Sequence, residues 1–193
     1  MLRRTMGRPP RNHHPHELVS ATTDSSIRIR RAVKGDAAAL LVLMRGLAEF
    51  EGYATDFAVD EATLVRQGFS RQPPDFYALV AESTKTPGLM GMLVYYLIPF
   101  TFRARPTLYI KELYVAESGR RLGTGRALMR GAAAAAIEHD CATIKWQVAE
   151  WNADARRFYE RLGAAAAHEW VEYALSESSL RALAEQPSAA DRD

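Results

Sequence analysis

The chain has 193 residues, 48% hydrophobic and 25% charged, which excludes a wholly disordered chain and fits one globular domain. Its longest apolar stretches, residues 37–44 and 89–100, are too short to cross a bilayer as helices. The net charge of +2 comes entirely from residues 1–26, where Arg3, Arg4, Arg8 and Arg11 outnumber Glu17 and Asp24, so the neutral remainder argues against nucleic acid as a partner.

Residues 1–26 hold three prolines and no periodic apolar pattern, and read as a disordered basic extension. His13, His14 and His16 fit a solvated tail better than a metal site, and no metal is expected elsewhere. The body, 27–185, opens with the alternation Ile27-Arg28-Ile29-Arg30, a strand. Asp36 then stands as N-cap to a buried helix over 37–50, and residues 60–64 open a second, shorter helix. Residues 76–81 and 90–100 are strands joined by the turn 84–88, and 108–115 is a third. A turn rich in glycine and arginine, SGRRLGTG, leads into a helix over 126–140, whose run of alanines is a close-packed helix rather than a linker. Cys141, the single cysteine, has no partner for a disulfide and points to a reducing, cytoplasmic setting. It begins a strand as a core residue, and that strand continues over 143–148. A helix over 153–162 ends at Gly163, a strand over 169–175 closes the sheet, Ser176 caps a last helix, and 186–193 is frayed. Strand–loop–helix–strand order implies a parallel pair. The class is α/β, or α+β with a mixed sheet.

Arg120-Arg121-Leu122-Gly123-Thr124-Gly125-Arg126 lies between a strand and a helix. Its glycines allow a tight turn that exposes N–H groups at a helix N-terminus, and its arginines add charge for a phosphate or pyrophosphate. An ordinary turn with solvated arginines fits the same residues equally well. The loop lacks the Gly-Lys-Ser/Thr of a P-loop and the third glycine of a dinucleotide fingerprint. Asn152 ends the next strand, with Ala155 and Tyr159 on one face of the following helix. Taken singly, these residues fit an N-cap and a core aromatic.

The set RRLGTG after a strand ending at Val115, then VAEWN, then RRFYERLGA, resembles the GNAT N-acetyltransferases. LAEFEGY and Trp170 narrow the resemblance to the spermidine/spermine and thialysine N-acetyltransferase branch, over residues 27–183. It implies a single domain around a mixed sheet with a splayed parallel strand pair, flanked by helices. It implies acetyl-CoA as donor, with Leu113 and Val115 bonding the pantetheine arm through their backbone. Residues Arg120, Arg121, Leu122, Gly123, Thr124, Gly125 and Arg126 would hold the pyrophosphate. Asn152 would hold the arm near the thioester, and Tyr159 would protonate the departing thiolate. The branch carries two successive acids where this chain has Lys111-Glu112, so Glu112 is the remaining candidate base. Strand alternation turns it away from the face of Lys111 unless a bulge intervenes. A surface ion pair is the competing reading of Glu112.

Glu51 and Trp170 match substrate-side residues of the branch, although a solvated helix end and core packing fit them nearly as well. Arg103 and Arg105 stand where the branch has acids, which would repel a polyamine and admit a carboxylate-bearing acceptor. The expected reaction is acetyl transfer to the primary amine of a small molecule, a diamino acid of thialysine type or a polyamine, in a ternary complex. Neither a membrane nor nucleic acid is an expected partner, and the branch implies a homodimer. A lysine or N-terminal protein acetyltransferase and a non-catalytic acyl-CoA-binding module are the alternatives.

Overall fold

The computed structural model describes residues 26–99, 103–167 and 171–185. The backbone forms two compact units, one ending at Gln147 and one beginning at Val148.

The first unit is a five-stranded sheet in the order β1-β2-β3-β4-β5. Its strands are β1 (Ile27–Arg31), β2 (Tyr77–Ser83), β3 (Leu89–Ile98), β4 (Thr107–Val115) and β5 (Thr143–Lys145). The first three pairings are antiparallel, and β4 pairs with β5 in parallel. Ser83 Oγ holds the β2–β3 turn by accepting the N–H groups of Lys85 and Thr86.

Helices cover both faces. Helix α1 (Ala37–Glu51) buries Leu40, Leu43, Met44 and Leu47 against Val80, Met92 and Val94, the apolar stripe expected of a core-facing helix. Asp36 occupies its N-cap position without a side-chain cap bond. The carboxylate instead turns back to accept Val33 N–H at 2.7 Å and both terminal nitrogens of Arg30 at 2.6 and 2.8 Å. A guanidinium fork outcompetes a neutral amide for a carboxylate. Helix α2 (Glu61–Leu64) is capped by Asp60, which accepts Thr63 N–H at 2.7 Å.

Helix α3 (Thr124–Glu138) covers the other face, burying Leu128, Met129, Ala132, Ala135 and Ala136. Its small residues allow a close approach: a Cβ on Gly131 would lie 3.0 Å from both Ile29 and Leu79. The alanine run is therefore a packing surface.

Two strand expectations need correction. Pairing of β5 ends at Lys145 rather than residue 148. Residues 171–175 form no strand, with Val171, Tyr173 and Leu175 at 77%, 91% and 53% exposure. Alternation selects a face for burial but supplies no partner backbone to bond it. Cys141 is half-buried rather than core, and its N–H caps the end of α3 by donating to Ala136 O at 2.8 Å.

In the second unit, α4 (Ala153–Glu160) begins at Asn152 and α5 (Glu177–Ala184) at Ser176, whose side chain accepts Ser179 N–H. Gly163, at φ +86°, follows α4 where a C-terminal glycine was expected. Among the described residues no helix is long and apolar enough to cross a membrane.

Candidate active site

The site in the first unit is built on β4. At its start β4 pairs with β5 from Thr107↔Thr143 to Tyr109↔Lys145. From Ile110 to Val115 that edge has no paired strand among the described residues, so Leu113 and Val115 lie on the unpaired stretch, where Val115 O accepts a hydrogen bond from Arg120 Nε at 3.2 Å. This is the splay the resemblance implies.

The other edge of β4 contains a bulge. Val94 pairs with Glu112 and Tyr95 with Ile110, so Lys111 has no counterpart on β3. Cross-strand partners share a face, and one extra residue inverts the alternation beyond it. Ile110 therefore lies with Tyr95 on the α3 face. Glu112 lies with Val94 on the α1 face, together with Tyr114, which packs against the α1 core. Strict alternation would have sent Glu112 to the opposite side.

The surroundings of Glu112 follow from that placement. Its Oε2 is buried with no hydrogen-bond partner among the described residues. Burial raises its pKa, neighbouring Lys111 opposes the rise, and the charge of Glu51 adds to it. Tyr53, just beyond α1, is pushed up by burial, then by Glu112 and Glu51. Tyr96, two residues beyond Val94 on β3, is raised by burial, then by Glu112 and Asp75. Glu51, Tyr53 and Tyr96 thus share an electrostatic environment with Glu112. Tyr53 and Tyr96 were not foreseen. LAEFEGY already contained Tyr53, whereas the face of Tyr96 relative to Glu112 was hidden by the bulge.

The loop after β4 has the backbone of an anion cradle. Arg121 and Gly123 adopt φ of +62° and +85°, a left-handed conformation that favours glycine at the second position. Among the described residues no acceptor takes the N–H groups from Arg121 to Arg126, the donors a helix start leaves open. Arg120, Arg121 and Arg126 are exposed, and Leu122 is 54% exposed. Thr124, 1% exposed, turns its hydroxyl inward to donate to Gly119 O at 2.7 Å. Gly119 cannot carry a side chain: a Cβ would lie 2.9 Å from both Met90 Cβ and Met90 O. The cradle is thereby locked to the β3–β4 sheet. A pyrophosphate and an extended pantetheine arm fit these donors and the open β4 edge.

In the second unit, Asn152 Oδ1 accepts Ala155 N–H at 3.1 Å, the N-cap its residue type predicts. Tyr159 is half-buried on α4, its ring 5.2 Å from that of Phe158. Trp170 lies outside the described residues. Arg105 corrects the expected cationic acceptor side. Its guanidinium donates to Asp140 Oδ1 at 2.7 Å and to the carbonyls of Asp140 and Cys141. That bracing sits at the start of β4, about 16 Å along the strand from Glu112.

Sheet, splay and cradle define an acyl-transfer fold, and comparison with known proteins agrees. The acetyltransferase (GNAT) family profile matches residues 42–164. Thialysine N-epsilon-acetyltransferase of Sus scrofa is 31% identical over 169 residues, 83% of this chain and 98% of that protein. L-ornithine N5-acetyltransferase of Arabidopsis thaliana is 27% identical over 112 residues, 58% of this chain and 49% of that protein. An integron cassette protein from the mobile metagenome of V. cholerae superposes with a TM-score of 0.68 at 25% identity, over 83% of this chain and 99% of that one. The chain belongs to the GNAT acetyltransferase family and is an acyltransferase of the thialysine and spermidine/spermine acetyltransferase branch.

Proposed function

We propose that the protein transfers the acetyl group of acetyl-CoA to the terminal primary amine of a small molecule, a diamino acid of thialysine type before a polyamine. The bulge at Lys111 carries this reading, because it turns the one remaining acid of the Lys-Glu pair to the α1 face. When bound, acetyl-CoA supplies an already activated thioester, so no enzyme nucleophile is needed. The N–H groups from Arg121 to Arg126, with Arg120, Arg121 and Arg126, hold the pyrophosphate. The backbone of Leu113 and Val115 and the side chain of Asn152 orient the arm. Glu112 Oε2 accepts the proton of the incoming ammonium, and its raised pKa suits it to that exchange. Glu51 and Trp170 keep a cationic acceptor in place. Tyr159 Oη returns a proton to the departing sulfur, a role supported by its position in the motif F-Y-x-x-x-G.

In this reading the body, residues 27–185, works as a cytoplasmic homodimer without need of residues 1–26. The exposure of Val171, Tyr173 and Leu175 supports a partner copy, and light scattering of the purified chain checks it. The main experiment incubates the chain with acetyl-CoA and a panel of diamino acids, polyamines and peptides, and follows thiol release. Release with diamino acids is expected. Acetyl-CoA binding without release from any amine would refute the reading.

A further inference from the structure

The chain has four lysines, Lys34, Lys85, Lys111 and Lys145, and all four are exposed. Exposure therefore does not distinguish them as amines; position does. Lys111 is the surplus residue of the β4 bulge, with no counterpart on β3. Its side chain enters no ion pair among the described residues. It stands on the stretch of β4 beyond the last pairing with β5, Tyr109↔Lys145. Glu112 follows it directly, and the Lys111 charge acts on that carboxylate. Leu113 is one position further, and two residues along a strand span about 7 Å. An extended lysine side chain reaches roughly 6 Å from its α-carbon. The Lys111 amine therefore covers the length of open edge along which the proposed pantetheine arm runs.

We propose that Lys111 is a site of self-acetylation, its Nζ taking the acetyl group of the acetyl-CoA bound to the same chain. The inference rests on the acetyl-transfer reading and adds an acceptor built into the site to the small-molecule one. The Lys111 ammonium gives one proton to Glu112, already the proposed base, and solvent carries it away. The neutral amine attacks the thioester carbonyl carbon, and an N–C amide bond forms. The C–S bond breaks with its electron pair on sulfur, which takes up the second proton that nitrogen sheds. Acetyl-lysine and free thiol are the products. Holding the amine and the thioester on one strand gives Lys111 an effective concentration far above that of a lysine meeting the donor from solution. Acetylation removes the positive charge beside Glu112.

The test incubates the full chain with acetyl-CoA and no amine, follows its intact mass, and maps each lysine by peptide mass spectrometry. Lys111 should gain an acetyl group about tenfold or more faster than Lys34, Lys85 or Lys145. The rate per chain should not depend on chain concentration, and excess coenzyme A, a competitor for the same cradle, should slow Lys111 alone. Lys111→Arg keeps the charge but cannot hold the group, so the fast phase of mass gain should disappear. Equal rates at the four lysines overturn the proposal, as does a Lys111 rate that rises with chain concentration or ignores coenzyme A. A parallel thiol-release assay with added amines separates the two readings. Release with amines but no fast gain at Lys111 overturns self-acetylation and leaves transfer to small molecules standing. Fast gain at Lys111 without release from any amine upholds self-acetylation and removes the small-molecule acceptor. Absence of both overturns both.

Discussion

Glu112→Gln should lower activity and raise stability in the same molecule. The Glu112 carboxylate has its Oε2 buried and without a donor among the described residues. A buried unpaired acceptor costs about 1–3 kcal/mol, and more when charged. The glutamine amide still leaves a polar group unpaired there, so the recovered part is on the order of 1 kcal/mol. For a chain of this length that raises Tm by about 2–4 °C. The sign can be checked against pH. Burial raises the folded pKa of Glu112 above its unfolded value, so its favourable contribution is complete below about pH 4 and is lost as pH rises through the folded value. The stability gap between variant and wild type should therefore vanish near pH 4 and be largest at neutral pH and above. Loss of the base should reduce kcat/KM by about 10²–10⁴ and remove the rise of rate with pH, whose midpoint in wild type lies above the ordinary glutamate range. Calorimetry across pH and a thiol-release assay measure both effects. A variant that melts lower at neutral pH, or that keeps most of its turnover, would refute the reasoning.

Thr124→Val keeps the side-chain shape but removes the 2.7 Å bond to Gly119 O, leaving a buried carbonyl unpaired; a loss of about 1–3 kcal/mol by denaturant unfolding is expected. Acetyl-CoA KM should rise with kcat nearly unchanged, and an unaltered KM would separate the loop from the donor. Tyr159→Phe should lower kcat about 10²-fold while acetyl-CoA affinity by calorimetry stays within about twofold; unchanged kcat would remove Tyr159 as proton donor. Asp36→Asn should destabilise by about 1–3 kcal/mol, since an amide cannot accept both terminal nitrogens of Arg30 as the carboxylate does. Hydrogen bonding from Arg30 holds Asp36 below the usual aspartate range, so its stabilisation is present above about pH 3.9 and lost as pH falls through the folded value. The Asn variant should show a smaller acid-induced loss of stability by circular dichroism.

Most elements were legible because their signals are local. Ser176 caps a helix through its own side chain, apolar spacing marks the face α1 buries, and Gly163 follows α4. Asp36 marked the right boundary but bonds elsewhere, because Arg30 reaches it from a different element. Arg105 was misjudged for the same reason: its partners, Asp140 and Cys141, are 35 and 36 residues away. The exposed run at 171–175 shows the reverse limit, a strand-like pattern without a partner to make it a strand.

The site turned on a non-local feature of a different kind. Nothing in Tyr109-Ile110-Lys111-Glu112 reveals that one residue is extra, since a bulge is defined only against the register of β3. Alternation read forward from the buried Leu108 and Ile110 puts Glu112 beneath α3, where a carboxylate would face the alanine-rich helix. The register of Val94 with Glu112 moves it instead to the side of Glu51, Tyr53 and Tyr96. Lys111 is then the surplus residue, and its side chain is exposed. Replacing an acid by lysine at that position therefore does not empty the site of its carboxylate. Because Lys111 opposes the upward shift that burial imposes on Glu112, the lysine tunes the neighbouring acid towards ionisation. In the proposed mechanism the pair Lys-Glu, set in this bulge, still offers one carboxylate turned to α1.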